Sequence, residues 1–509
     1  MKKWILKHPV TVGMLPALLF LLFITALMRH SFMDDAHIGF RVIENAIAGH
    51  GFVFNPGDRV EAVTNIGWLL FLTPVAVLLP LNLAAKLVAV ICIVLTVLLL
   101  TRLGKKMLPD PFKWMVYVLP VLLVLQFDYL FFSLGGMETA FLSLLLTLII
   151  YLEYIKRYPF LVTGLAAFAF LVRPETLVIY PLYTFLLWLR DRSRWKALLP
   201  RLLSWVLLLA GFELMRHAYY GDWLPNTFVS KPGQSMQVIL ERFGNHGFNL
   251  PNISVPFESG LVLLLIIVAL MVVPGKYNLK AGLGSMVLCG YLFGLYAPTD
   301  WTLRGRYFAP YVPFAVVLAF TGGVYLFQIL QKALPVKQHL VRVMGGTVVI
   351  VYILLTALAF TGYFRPANLE TYPWFVMTSE KLVPAASWIR ENTPPETVIA
   401  SRRIGALGRY SQRYIFDYTW GLPHRDVAAL VAKYNRTFDS PNSNVLADVW
   451  KHYSPDYFLE DTQKIDPLRI EKSDTLRIQG ERFIIWKKFR INQQRDWVLA
   501  KKLDGSDQK

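Results

Sequence analysis

The sequence predicts an α-helical, polytopic membrane protein with a polar C-terminal α/β domain. Of its 509 residues, 55% are hydrophobic and only 17% are charged, whereas soluble domains carry roughly 25% charged residues. Long apolar runs recur through the first two thirds of the chain, and about 20 apolar residues span a bilayer core. The composition turns polar near residue 364. We therefore predict a transmembrane domain over residues 1–363 and a soluble domain over 364–509.

The basic residues indicate how the chain is oriented. Lys and Arg exceed Asp and Glu by 18, and most of the excess lies between apolar runs, as the positive-inside rule describes. We therefore expect no nucleic-acid partner. Placing every basic cluster inside gives about eleven spans in a bacterial inner membrane, with a cytoplasmic N-terminus and a periplasmic C-terminal domain. The first apolar run is predicted to be a retained span, because no small-residue cleavage site follows it.

This orientation depends on the stretch 66–100. Two short spans there would place the next basic cluster outside and invert the rest of the chain. We instead expect residues 66–79 to form a re-entrant or interfacial helix within a first outer loop, 31–82, and residues 84–100 to form the true span. Cys92 and Cys289 lie in apolar runs, so buried thiols without a disulfide are predicted.

The C-terminal domain has patterns typical of both helices and strands. Gln479-Gly480 is a turn signal between two apolar segments and predicts a hairpin over 477–488. The other predicted elements are helices over 379–391 and 425–433 and strands over 397–400, 414–417 and 457–459.

Asp34 and Asp35 directly follow the first apolar run. Ionised groups at a membrane surface are costly, so a pair of them indicates general-base chemistry or cation binding on a lipid-borne substrate. Helical spacing of apolar residues predicts an amphipathic helix over 35–48. Asp34 alone could serve as its cap, but a cap does not require the second acid.

Other outer loops supply charged candidates. Glu138 is a lone carboxylate between two apolar runs, and Arg173 lies in an Arg-Pro-Glu break between two short ones. Arg304 and Arg306 stand on the outer side against the orientation rule, which indicates a phosphate ligand, since guanidinium groups pair bidentately with phosphate oxygens. Contact with lipid headgroups is the alternative.

The loop 219–228 combines aromatic rings with polar side chains, notably Trp223 and Asn226. Sugar rings need apolar faces to stack on and polar partners for their hydroxyls. An interfacial aromatic belt explains the rings but not the Pro-Asn-Thr sequence that follows them.

Acids and arginines on one face of a membrane fit glycosyl transfer from a lipid-phosphate sugar. A carboxylate takes the proton from the attacking hydroxyl and arginines stabilise the leaving phosphate. The chain has neither a G-x-G-x-x-G nor a Walker-type motif, so no nucleotide-sugar or dinucleotide site is expected.

The order of these motifs resembles the GT-C membrane glycosyltransferases, and within them bacterial terminal arabinofuranosyltransferases and pilin arabinosyltransferases. The resemblance runs from about residue 30 to about residue 420. It is carried by Asp34-Asp35-Ala-x-Ile-x-Phe-Arg, Gly49-His-Gly-x-Val-Phe-Asn-Pro-Gly, Gly136-Met-Glu, Arg173-Pro-Glu, Leu224-Pro-Asn-Thr and Arg306-Tyr-Phe.

This resemblance implies a GT-C fold, a polyprenyl-phosphate sugar donor, a periplasmic site and a carboxylate of the first loop as the catalytic base. Of Asp34 and Asp35 we favour Asp35 as that base, because Asp34 is better placed to cap the helix. The implied acceptor is a cell-envelope glycan, a glycolipid or a pilin, and arabinofuranose is among the candidate sugars. No cofactor is required. A divalent cation is compatible with the acids, but their spacing predicts no metal site. The candidate residues are, for catalysis, Asp35, Asp34 and Glu138; for the donor phosphate, Arg306, Arg304, Arg173 and Lys231; and for sugar or acceptor, His37, Arg41, Glu61, Asn65, Trp223, Asn226 and Tyr307.

Two other classes of function fit parts of the sequence. A transporter or flippase for lipid-linked saccharides would place ionisable residues near the bilayer midplane and often contains repeated halves. Here the charges gather in outer loops, and the chain shows no internal repeat. A structural scaffold with a glycan-binding C-terminal domain is the third reading.

Overall fold

The computed structural model describes residues 9–231, 235–246, 259–297, 306–333, 373–435, 437–438, 440–470, 474–491 and 495–503. The chain divides into two compact units. The helical unit comprises Met1–Arg29, Asn82–Gly211 and Gly233–Leu369, and the sheet unit comprises His30–Leu81, Phe212–Pro232 and Glu370–Lys509.

The first two thirds of the described chain is helical. Its α-helices are α1 (Pro9–Leu27), α2 (Asp34–Ile47), α3 (Ile66–Leu78), α4 (Leu81–Met107), α5 (Leu119–Val124), α6 (Phe127–Leu134), α7 (Thr139–Ile155), α8 (Pro159–Val172), α9 (Ile179–Arg190), α10 (Trp195–Tyr220), α11 (Asn226–Ser230), α12 (Met236–His246), α13 (Ser259–Val272), α14 (Tyr277–Tyr296) and α15 (Val312–Ala333). Short 3-10 helices cover Asp110–Val118, Pro174–Val178, Arg192–Arg194 and Ala309–Tyr311.

Several helices can cross a membrane by length and composition. Within the described residues four segments qualify, namely Leu81–Met107, Arg192–Tyr220, Tyr277–Tyr296 and Ala309–Ala333. A fifth qualifies if the helices Phe112–Val124 and Phe127–Leu134, bent by 54°, form one broken span. The expectation of about eleven spans stays a prediction.

Close helix crossings in the helical unit depend on small residues. A Cβ on Gly322 of α15 would lie 1.8 Å from the Leu265 carbonyl oxygen of α13, and one on Gly13 of α1 would lie 2.0 Å from the Tyr117 carbonyl oxygen. Glycine lets two backbones approach in this way, which is a common basis of helix packing in membranes.

The sheet unit contains α2, α3, the end of α10, α11 and the C-terminal domain. That domain adds α16 (Pro373–Asn392), β1 (Val398–Ala400), α17 (Gly405–Ser411), β2 (Tyr414–Phe416), α18 (Arg425–Tyr434), α19 (Ala447–Tyr453), β3 (Tyr457–Asp461), α20 (Thr462–Ile465), β4 (Thr475–Ile478), β5 (Glu481–Arg490) and β6 (Asp496–Lys502).

The six strands form one mixed sheet in the order β2-β1-β3-β6-β5-β4. The strand β1 runs parallel to β2 and β3, and the remaining pairs are antiparallel. Gln479 and Gly480 turn the β4–β5 hairpin with φ of 51° and 84°, as a two-residue hairpin loop requires. The core on one side of the sheet contains Phe416, Trp450, Phe458 and Phe483.

The predicted fold class is confirmed as a mostly helical chain with a small C-terminal sheet domain. The helix expected at 66–79 is α3, the stretch 84–100 lies within α4, and the hairpin expected at 477–488 is formed by β4 and β5. The amphipathic helix begins at Asp34, one residue earlier than expected. Cys92 and Cys289 are buried and free.

The sheet unit includes one strand that was not expected, and the domain boundaries stay a prediction. The first loop, His30–Leu81, groups with the C-terminal domain instead of the helices, because α2 packs against α17. Strand β6 was not predicted. The predicted boundary at residue 363 falls outside the described residues.

Candidate functional site

A buried group of charges lies in the helical unit where α8 ends. Arg173 follows α8 in an extended conformation, and the Pro174–Val178 3-10 helix leads on to α9. The guanidinium Nη1 donates to Glu138 Oε1 at 3.2 Å and Nε donates to Glu175 Oε1 at 2.5 Å. Glu138 and Arg173 are only 4% and 6% exposed. We call Glu138, Arg173, Glu175 and Tyr311 the Arg173 cluster.

Aromatic rings surround the guanidinium of this cluster. The Arg173 guanidinium carbon lies 5.5 Å from the Tyr307 ring centroid and 5.9 Å from that of Phe293. The Tyr311 hydroxyl donates to Glu175 Oε1 at 3.5 Å. Arg306 is close enough for its charge to act on Arg173. The structure thus brings together Glu138, Arg173, Arg306 and Tyr307 of the predicted residues.

Burial favours the uncharged forms of these side chains, whereas their pairing with one another favours the charged forms. Burial raises the pKa of the Glu175 carboxyl, and Arg173 pulls it back down. Burial would lower the pKa of the Arg173 guanidinium, but Glu175 and Glu138 outweigh it and raise that pKa. Arg173 therefore stays cationic beside two carboxyl groups.

Asp34 binds another helix of the sheet unit. The N-cap position of α2 belongs to Met33, whose side chain cannot cap. The Asp34 carboxylate instead accepts hydrogen bonds from the backbone N–H groups of Gly405, at 3.2 Å, and Ala406, at 2.9 Å. These are the first donors of α17, so Asp34 caps that helix. Burial raises the pKa of Asp34 and the hydrogen bond from Ala406 opposes the rise.

Asp35 lies next to Asp34 in the first turn of α2 and is half-buried. A carboxylate there also benefits from the positive end of the helix dipole. Because Asp34 is bonded to α17, Asp35 remains the stronger candidate for the base.

His37 and Arg41 hold α2 against the C-terminal domain. The Arg409 guanidinium lies 3.2 Å from His37 Nδ1 and 2.7 Å from Glu44 Oε1. Burial lowers the pKa of His37 to about 3, and the positive charge of Arg409 contributes to this shift. The imidazole is therefore neutral, and its Nδ1 accepts a hydrogen bond from the Arg409 guanidinium. Arg41 donates to the Arg413 carbonyl oxygen at 2.8 Å and lies 4.4 Å from the Phe54 ring centroid.

Glu61 and Asn226 meet near the end of α10. Glu61 pairs with Arg216 at 2.8 Å, and burial raises the pKa of Glu61 to about 7 against the effect of Arg216. The Asn226 amide donates to the carbonyl oxygens of Gly421 and Leu422, at 2.6 and 2.9 Å. Glu61 therefore joins the first loop to α10, and Asn226 joins α11 to the C-terminal domain.

Four other residues were predicted to belong to the site, namely Trp223, Lys231, Asn65 and Arg304. Trp223 is 55% exposed and stacks one ring face on His217, with centroids 4.2 Å apart. Lys231 Nζ lies 5.1 Å from the Trp420 ring centroid. Asn65 is the residue before α3. Arg304 lies outside the described residues.

Several buried polar residues were not predicted from the sequence. Glu175 and Tyr311 complete the Arg173 cluster, and Arg409 joins His37 to Glu44. Lys86 is buried in α4 and donates to the carbonyl oxygens of Met28, at 2.7 Å, and Leu134. The signal for Lys86 was available, since a lysine inside a long apolar run marks a functional or paired position.

A metal site does not emerge from the described residues, in which no three His, Cys, Asp or Glu side chains are arranged to hold an ion. The assignments of individual residues to catalysis, donor or acceptor stay predictions.

Sequence comparisons give two partial matches. Residues 374–508 match a family model described as a domain of unknown function, DUF8728. The chain is 28% identical over 221 residues to the terminal β-(1→2)-arabinofuranosyltransferase of Mycobacterium tuberculosis strain H37Rv. That alignment covers 40% of this chain and only 35% of the relative.

Solved structures match over most of the chain. ArnT from Cupriavidus metallidurans, solved with undecaprenyl phosphate, is 12% identical with a TM-score of 0.60 over 97% of this chain and 98% of its own. The Archaeoglobus fulgidus oligosaccharyltransferase is 13% identical with a TM-score of 0.53 over 88% of this chain and 69% of its own. The expected GT-C fold is thereby confirmed.

Proposed function

We propose that this chain is a membrane glycosyltransferase that takes a sugar from a polyprenyl-phosphate donor. The observation that carries the proposal is the likeness in fold, over nearly its whole length, to a protein whose solved structure holds undecaprenyl phosphate. The partial likeness to an arabinofuranosyltransferase supports the same class of reaction.

The proposed reaction is a displacement at the anomeric carbon of the sugar. The acceptor hydroxyl oxygen forms a bond to that carbon while the bond to the donor phosphate oxygen breaks. Asp35 takes the proton of the hydroxyl, and cationic side chains such as Arg306 stabilise the polyprenyl phosphate that leaves. The pairing of Arg173 with two carboxylates supports a positioning role for Arg173 more than direct phosphate binding.

The acceptor in this proposal is a cell-envelope glycan, a glycolipid or a protein such as a pilin at the periplasmic face of the inner membrane. Arabinofuranose is the sugar to test first, because the M. tuberculosis relative is an arabinofuranosyltransferase by name.

Transfer by the purified full chain in nanodiscs tests the proposal. The chain is supplied with a panel of polyprenyl-phosphate sugars and a cell-envelope glycan fraction, and release of polyprenyl phosphate is measured. We expect turnover with at least one donor. A folded sample that turns over none of them would contradict the proposal.

A further inference from the structure

An aromatic patch lies in the C-terminal domain where α16 meets the sheet. We define the aromatic patch as Trp388, Tyr457, Trp486 and Phe489. The Trp486 ring stacks on Tyr457 with centroids 5.3 Å apart, and Trp388 meets Trp486 and Phe489 at 5.1 and 5.7 Å. Trp388 and Phe489 are half-buried and Tyr457 is only 6% exposed, so Trp486 is the ring that the patch presents.

A break in strand pairing lies at the centre of this patch. The β5–β6 register shifts between Ile485 and Lys487, so Trp486 is the extra residue of a β-bulge. Bulges re-aim a side chain. In addition, β4 pairs with β5 as far as Ile484, and within the described residues no strand pairs with the rest of β5 on that side. Trp486 is 41% exposed.

Lysines give the aromatic patch a positive charge. Lys487 Nζ lies 5.5 Å from the Trp388 ring centroid and Lys501 Nζ lies 5.9 Å from that of Trp486. Within the described part of the chain neither ammonium has an ion pair with a carboxylate. The carboxylates of the same strands, Glu481 and Asp496, are already paired with Lys502 and Arg490.

We infer that the aromatic patch binds an anionic glycan, by stacking sugar rings on Trp486 and pairing carboxylate or phosphate groups with Lys487 and Lys501. This inference rests on the proposed function, because the glycan is the acceptor or a part of it. Ring faces match the apolar C–H faces of sugars, and the lysines complement charges on the chain.

A lipid surface fits the patch less well. Membrane-surface binding needs a broad apolar face. Among the described residues of 381–503, the large hydrophobic side chains that are as exposed as Trp486 are only Ile484 and Tyr434. Tyr434 lies on α18, so the patch offers no broad apolar face.

Binding of a defined probe by the full chain in nanodiscs tests the inference. The probe is tetragalacturonate, an anionic oligosaccharide, with maltotetraose as its neutral counterpart, and no donor is present. We expect tetragalacturonate to quench tryptophan fluorescence and to bind more tightly than maltotetraose.

Trp486→Ala should weaken binding about tenfold, the usual effect of truncating an aromatic anchor. The double variant Lys487→Ala/Lys501→Ala, which keeps every ring, should abolish the preference for the anionic probe.

Tyr434→Ala is the matched control, because Tyr434 is 43% exposed and also has a lysine, Lys433, 5.5 Å from its ring centroid. It should bind as the unaltered chain does. Equal weakening in Tyr434→Ala, equal affinity for maltotetraose, or binding to phosphatidylglycerol vesicles but not to tetragalacturonate would overturn the inference. Sugar transfer is measured separately. A chain that transfers sugar but binds no probe contradicts this inference alone, and the reverse contradicts the proposed function alone.

Discussion

Asp34 and Asp35 are neighbours with different surroundings. Asp34 accepts two backbone hydrogen bonds from α17, while Asp35 stands half-buried in the first turn of α2. A carboxylate that caps a helix of another segment has a structural task, and we therefore assign the proposed role of base to Asp35 and a structural role to Asp34.

Asp34→Asn should therefore destabilise the fold. Hydrogen bonds to a charged group contribute about 1.5–3 kcal/mol, and the amide keeps only one acceptor oxygen, so a loss of ~2 kcal/mol is expected. Thermal unfolding in detergent measures it. Asp110→Asn, at a carboxylate 87% exposed that pairs with Lys113, should change little. Unaltered stability with abolished transfer would instead identify Asp34 as the base.

The shifted pKa of His37 makes the stability of the fold depend on pH. Its folded pKa of about 3 is below its ordinary 6.5, so on acidification the unfolded chain takes up a proton before the folded chain does. Stability is thus full above about 6.5 and falls as the pH drops from there toward 3. At about pH 5 the free energy of unfolding is lower by ~2 kcal/mol than at neutral pH. His37→Gln should unfold with a flatter acid dependence than the unaltered chain, as followed by thermal unfolding across this range. Identical profiles would show that His37 does not titrate as described.

At the scale of elements, α17 approaches α2 closely because it begins with glycine. A Cβ on Gly405 would lie 1.9 Å from the Asp34 carbonyl oxygen, and one on Gly408 would lie 2.3 Å from Arg41 Nη1. The side chains of Asp34 and Arg41 therefore reach the backbone of the C-terminal domain only where α17 has no side chain in the way.

Gly405→Ala should force α2 and α17 apart and destabilise the chain by roughly 1–3 kcal/mol or more, the usual cost of overpacking. The matched control is Gly164→Ala in α8, where an added Cβ meets nothing within 4 Å. Denaturant unfolding compares the two variants. Equal stability would mean that α2 and α17 are not in contact.

Local patterns predicted most elements but not their partners. The hairpin turn at Gln479-Gly480 and helix α2 have short-range signals, and both were found. Strand β6 lies between β3 and β5, and four of its residues in a row are buried, so it lacks the alternation that marks a half-buried strand. The partner of Asp34 is 371 positions away, which no local spacing can reveal.

The Arg173 cluster was predicted in part, since Glu138 and Arg173 are conspicuous charges, but Tyr311 reads as one more aromatic residue of an apolar run.

For the whole molecule, orientation is the property that the proposed function most needs. A periplasmic site requires the C-terminal domain to lie outside and the basic cluster at the end of α4 to lie inside. The positive-inside pattern predicts both.

Cysteine labelling in intact cells checks this orientation. The two native thiols are buried, so new cysteines can be read against a low background. Ser440→Cys, at an exposed position of the C-terminal domain, should react with a membrane-impermeant maleimide in spheroplasts. Lys106→Cys, exposed in the last turn of α4, should react only after the membrane is permeabilised. The opposite pattern would invert the predicted topology.

The most direct measurement compares Asp35→Asn with the unaltered chain for both sugar transfer and donor binding. Removing a general base lowers turnover by about 10²–10⁴-fold and leaves the phosphate and lipid contacts of the donor in place. We predict that Asp35→Asn binds the polyprenyl-phosphate sugar with nearly unaltered affinity and transfers almost none of it. Transfer at the unaltered rate would contradict this prediction.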